Sequence, residues 1–159
     1  MSRGRILVAE RDGVYLVKLL GDVRLTLCAS ISDYLQRIFS GPKPRAVYVD
    51  LSEAEGVDST TLGLLARLAL FTRDRYGLKT RLVGGEEGLL RVFDAMDIAE
   101  LFERIPAAPD LPLTELPAGE PDAERTRQEV LAAHRLLVNL KPELATEFYD
   151  LISSLEGNP

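Results

Sequence analysis

The run Ala46-Val47-Tyr48-Val49-Asp50-Leu51 constrains the fold more than any other stretch of the chain. It is β-rich and mostly apolar, and it lacks the strict alternation of a strand with one wet face. Such a strand belongs in the middle of a sheet, buried on both sides. Helical periods flank it. Ile31, Tyr34, Leu35 and Ile38 recur at helical spacing before it, and Leu62, Leu65, Ala66, Leu68, Ala69 and Phe71 give a broad apolar face after it.

The remaining elements follow from the same reading. Ile6 to Ala9 and Val14 to Leu20 are β-rich runs joined by Arg11-Asp12-Gly13, which predicts an opening hairpin. Thr26 stands as N-cap of the first helix, which Gly41-Pro42 ends. Ser52 to Val57 reads as a loop, and Gly77 closes the second helix. Thr80 to Val83 is a short strand, Leu89 to Met96 a helix, and a last edge strand is expected near Arg104. The order β-β-α-β-α-β-α-β predicts an α/β sheet, part of it parallel.

After Ile105 the material changes. Pro106, Pro109, Pro112, Pro117 and Pro121 are too closely spaced for helix or sheet interior, so residues 106–121 read as an extended linker laid on the surface by Leu111, Leu113 and Leu116. Asp122 then caps a helix to about Leu140, with Val130, Leu131, His134, Leu137 and Val138 on one stripe. Pro142 is placed as the first residue of another helix, carrying Leu144, Phe148, Leu151, Ile152 and Leu155 and ended by Gly157. The division expected is 1–105 for the main domain, 106–121 for the linker and 122–157 for a helical hairpin. Marginal helices need an apolar surface to cover, so packing of the hairpin on its own domain ranks first. A dimer through these helices and a second partner are the other arrangements open.

Composition narrows the function. A net charge of −6 with scattered Lys and Arg opposes binding to nucleic acid or to an anionic membrane surface. No apolar stretch reaches the roughly 18–20 residues of a spanning helix, and the N-terminal run is too short for a signal segment. A cytoplasmic protein is expected. The single cysteine, Cys28, reads as a small buried hydrophobe, and with one histidine the chain offers no structural zinc set; no metal and no cofactor are expected.

The chemistry concentrates in Asp58-Ser59-Thr60-Thr61-Leu62-Gly63, where the loop enters the second helix. Asp58 is a natural N-cap, leaving Ser59 at the first helical position. These residues leave two readings open. They make a good cap and nothing more, or they make a modification site. A phosphate on Ser59 adds roughly −1.5 to −2 charge at a helix end whose dipole tolerates it. The fold survives, while a partner packed there must desolvate a dianion. His134, on an apolar stripe, reads as a half-buried, hydrogen-bonded residue. A nucleophilic triad with Ser59 lacks the Gly-x-Ser-x-Gly elbow. Gly84-Gly85-Glu86-Glu87-Gly88 lacks the ending of a phosphate loop.

The segment Asp50-Leu51 followed by Asp58-Ser59-Thr60-Thr61-Leu62-Gly63 resembles the signature of STAS-domain anti-sigma factor antagonists: a strand ending in Asp-Leu, then Asp-Ser-Ser/Thr-Gly-Leu-Gly. The resemblance runs from about Arg5 to Ile105. It implies a mixed sheet with helices on one side and a non-catalytic regulator. It makes Ser59 the phosphoacceptor, with Asp58 as its cap and Thr60 as a second-best acceptor. It also implies an anti-sigma factor or serine kinase as partner and a PP2C-type phosphatase that resets the switch. Two departures stand out. Thr61 occupies the usual glycine position, and Arg24, shortly after Leu20-Gly21-Asp22, stands where an acidic residue is common. Asp22 and Arg24 flank the helix start in this scheme, and Arg24 is a candidate to pair with a phosphate. A STAS-like subunit of a transporter or lipid-trafficking complex, or a nucleotide sensor, is the alternative.

Overall fold

A computed structural model describes residues 2–157. Strands β1 (Arg5–Arg11) and β2 (Val14–Val23) form the opening antiparallel hairpin. Helix α1 (Cys28–Ser40) leads to β3 (Ala46–Val57), α2 (Ser59–Tyr76), β4 (Thr80–Val83), α3 (Glu87–Ala95) and β5 (Phe102–Ile105). A two-residue strand, β6 (Thr114–Glu115), precedes α4 (Ala123–Leu140) and α5 (Leu144–Leu155). The six strands lie in the order β5-β4-β3-β2-β1-β6. The steps β2–β3, β3–β4 and β4–β5 are parallel, and both pairings of β1 are antiparallel.

The core sits where the central strand meets the two helices that flank it in sequence. Val47, Val49 and Leu51 of β3 join Leu35 and Ile38 of α1 and Leu62, Leu65 and Leu68 of α2 in one buried cluster. On the other face of β3, Tyr48 lies under the Arg81 guanidinium, 5.2 Å from its ring centre, and Asp50 is buried. That face has no helix over it at Leu16, Lys18 and Asp50. Residues 106–111 and Leu113 share a cleft with them instead.

Three details differ from the sequence expectation. Ser52 to Val57 is strand, not loop. Parallel pairing of β2 with β3 continues through Leu20↔Glu53, Gly21↔Ala54, Asp22↔Gly56 and Val23↔Val57, with two register shifts. Those shifts break the two-residue alternation and hide the strand from a periodicity reading. The first helix is not capped by Thr26. A 3₁₀ turn over Leu25–Leu27 comes first, and α1 begins at Cys28 with no side-chain cap. Pro142 lies in a turn ahead of α5, which starts at Leu144. Cys28 is buried, and burial pushes its thiol pKa up, keeping it neutral.

The tail wraps the domain. After crossing the sheet face it pairs with β1 through Leu7↔Glu115 and Val8↔Thr114. The Leu116 N–H donates to the Ile6 carbonyl at 2.9 Å, and Ser30 Oγ donates to the Pro117 carbonyl at 2.6 Å. Helix α4, capped by Asp122 through the Arg125 N–H at 3.0 Å, then lies on α1 and α2. Arg125 reaches Asp33 of α1 at 2.7 Å. Val130, Leu131, Leu137, Leu144 and Phe148 are all buried, and full burial of such side chains contributes roughly 1.5–3 kcal/mol apiece before ordering costs. Helix α5 holds to α4 through Arg127, which donates to the Leu155 carbonyl at 2.6 Å, and through the Arg135–Glu156 pair. Among the described residues, no helix is long and apolar enough to cross a membrane.

Candidate functional site

The site is the junction of β3 and α2. Asp58 is extended (φ −90°, ψ 174°), so the chain enters α2 with the Asp58 side chain folded back over the first turn. Both carboxylate oxygens are used. Oδ1 accepts from the Thr61 N–H at 2.9 Å, the N-cap bond. Oδ2 accepts from the Leu25 N–H at 2.7 Å. The Asp58 N–H donates to the Val23 carbonyl at 3.2 Å. One acidic residue thus ties the start of α2 to the segment leaving β2.

Ser59 is the first helical residue and is half-buried. Its Oγ lies 2.7 Å from Nε2 of His134, a residue of α4. The other ring nitrogen, Nδ1, lies 2.7 Å from the Val130 carbonyl. A carbonyl only accepts, so Nδ1 carries a proton. In the neutral ring Nε2 is then an acceptor and Ser59 Oγ–H is the donor. The imidazole is 1% exposed and meets the Phe148 ring edge-on, with centroids 4.7 Å apart. His134 is therefore fully buried rather than half-buried. The structure does bring Ser59 and His134 together, although the third group on the imidazole is a backbone carbonyl and not a carboxylate.

One turn along α2, Gly63 faces Ala133. A Cβ built on Gly63 would stand 2.6 Å from the Ala133 Cβ and 2.8 Å from its Cα. Real atoms do not approach so closely, so only glycine lets α4 seat here. The end of the Asp-Ser-Thr-Thr-Leu-Gly motif is thus occupied by the chain's own tail.

The other sequence-predicted residues divide. Thr60 is 2% exposed and Thr61 0% exposed, with Thr61 Oγ1 donating to the Val23 carbonyl at 3.4 Å. Both side chains are buried in this structure. Asp22 and Arg24 pair with each other at 2.9 Å. The Arg24 guanidinium is engaged by Asp22. Sequence reasoning missed three members of the site: His134 as a partner of Ser59, Gly63 as a docking point, and Leu25. Leu25 is 40% exposed beside Asp58 and shares a cleft with Thr26, Ala29, Pro121, Asp122 and Thr126. A lone histidine on an apolar stripe and a glycine inside a helix were the available signals.

No curated protein matches the chain. Among solved structures, it resembles the anti-sigma factor antagonist SpoIIAA in its unphosphorylated form, with a TM-score of 0.56 and 12% identity over 63% of this chain and 87% of that one. It also resembles an anti-sigma factor antagonist from Mycobacterium paratuberculosis, with a TM-score of 0.52 and 22% identity over 66% of this chain and 87% of that one. At these identities the likeness is one of fold. The STAS domain family model matches residues 5–111, which carry the whole sheet apart from β6 and the capped entry to α2. By that match the chain belongs to the STAS domain family.

Proposed function

We propose that the protein is an anti-sigma factor antagonist whose Ser59 is the phosphoacceptor of a partner switch. The unphosphorylated form binds an anti-sigma factor, which is itself a serine kinase in one form of the scheme, and so frees a sigma factor. Phosphorylation of Ser59 abolishes binding, and a PP2C-type phosphatase restores it. The tail after Ile105 supports reading the chain as a long variant of the family, for which a pseudomonad HptB-dependent secretion and biofilm anti-anti-sigma factor is the candidate.

The observation that carries the reading is the position of Ser59. It is the first residue of a helix whose start is held by Asp58 on both carboxylate oxygens, independently of the Ser59 hydroxyl. Charge added there leaves the cap intact and meets the positive end of the α2 dipole. The same charge obstructs any neighbour that must bury that helix end.

Affinity capture from the native host with wild-type, Ser59→Ala and Ser59→Asp baits tests it, together with mass spectrometry of the Ser59 peptide. Ser59→Ala is expected to retain the partner constitutively, and Ser59→Asp to lose about tenfold or more in capture, or about 1.4 kcal/mol. Equal capture by the two variants, or a Ser59 peptide never phosphorylated under any growth condition, overturns the proposal. Co-purification of a transporter ATPase with both variants would select the transporter-subunit reading instead.

A further inference from the structure

We propose that the α4–α5 hairpin is a cis-acting cover over the switch site, latched by the Ser59–His134 hydrogen bond, and that the closed hairpin and a phosphate on Ser59 exclude each other. The phosphate half of this statement rests on the reading of Ser59 given above. The cover itself does not.

Three observations carry it. First, the Ser59 hydroxyl is spent inside the molecule, donating to a ring that is 1% exposed. Second, with Nδ1 donating to the Val130 carbonyl, Nε2 of the neutral ring is a lone-pair acceptor. A phosphorylated Ser59 has no hydroxyl proton to give, and its ester oxygen would set lone pair against lone pair at 2.7 Å. Three further oxygens and up to two negative charges would have to be housed against the His134 and Phe148 rings. Third, the hairpin is held by one apolar face, which buries Leu137, Leu144 and Phe148, and by few buried polar ties. Helix α4 meets α2 backbone to backbone at Gly63 and Ala133; Arg125 to Asp33 and Lys141 Nζ to the Ala95 carbonyl at 2.8 Å are surface ties, and Arg125 also donates to the Ala29 carbonyl at 3.4 Å, part-buried. Exposed ties of this kind contribute little, so among the hairpin's polar contacts the buried latch carries the most weight, beside the apolar burial that seats it.

The hairpin therefore acts as an internal surrogate for a partner. Both need the start of α2 uncharged, and both are rejected by the same modification. A partner that docks on this helix end first displaces α4. Coupling of this kind is reciprocal: whatever lifts the hairpin exposes Ser59, and a charge on Ser59 lifts the hairpin.

Hydrogen exchange on the full chain tests the cover without a kinase or a partner. Exchange is followed in peptides spanning α4 and α5, with β3 peptides as the internal reference. Ser59→Glu is expected to raise exchange in α4 and α5 by about tenfold or more with β3 unchanged, and Ser59→Ala, which removes only the latch bond, by about threefold. Ala133→Arg, which wedges α4 from α2 without touching Ser59, is expected to free the hairpin to the same extent as Ser59→Glu. Unchanged or increased protection of α4 in Ser59→Glu overturns the proposal. So does loss of β3 protection in Ala133→Arg, since the hairpin would then be part of the core and not a cover. If Ser59→Glu opens the hairpin but Ser59 is never phosphorylated in cells, the cover stands and the phosphoswitch falls. If Ser59 is phosphorylated and the hairpin stays shut, the reverse holds.

Discussion

At its start α2 is capped by Asp58 and roofed by α4. At its finish, eighteen residues on, Gly77 turns the chain at φ 66° with nothing within 4 Å of where a side chain would stand. Both ends obey the local rules for helix termini, an acidic N-cap and a left-handed glycine after the last turn. The C-terminal end is complete in itself: the Gly77 N–H donates to the Arg73 carbonyl at 2.9 Å, and the Leu78 N–H to the Thr72 carbonyl at 3.1 Å. The N-terminal end is not. Its serine hydroxyl is paired with a histidine 75 residues away in the chain. The difference separates a terminus closed by its own neighbours in sequence from one that also engages a distant helix.

The comparison can be broken most forcefully at Gly63. Gly63→Leu drives a side chain into Ala133 and is expected to cost about 3 kcal/mol in chemical denaturation, with α4 losing exchange protection before β3 does. An unchanged midpoint would mean that α4 does not rest on α2 there. Asp58→Ala removes the cap and leaves the Leu25 N–H without its acceptor. A loss of about 2 kcal/mol is expected by urea unfolding, and less than 0.5 would deny that Asp58 joins the two loops. At the far end, Gly77→Ala puts a methyl group in the left-handed region with open space around it. The expected cost is about 1 kcal/mol, from backbone strain alone, with α4 exchange rates unaltered. Altered α4 exchange in that variant would erase the distinction between the two ends. The smallest effect is assigned to Arg73→Ala. Its pair with Asp74 is more than half exposed on both sides, so a change below about 0.5 kcal/mol is expected in the same unfolding assay.

Much of this was legible in the sequence. The apolar run at 46–51 fixes the central strand, helical spacing fixes α1, α2 and α4, and Asp58 announces the start of α2 through ordinary capping chemistry. What stayed hidden is non-local. Ser52 to Val57 pairs as strand because β2 continues alongside it, and the two register shifts there leave no regular alternation to betray that. The apolar stripe of α4 shows which face is buried but not what it is buried against. The contact between His134 and Ser59 depends on the path of residues 106–122 around the sheet, and a proline-rich stretch encodes extension without direction. Nothing near Gly63 in sequence tells that a helix lies on it.

The small strand β6 has one more consequence. It fastens the tail to β1 only seven residues before α4 begins, with Leu116 and Pro117 pinned as well. A hairpin lifted from α2 stays leashed within a few turns' length of its seat, where a short tether holds an effective concentration on the order of millimolar. Any protein arriving from solution competes against that standing local supply. The stitch at the sheet edge thereby sets how strong an intruder must be.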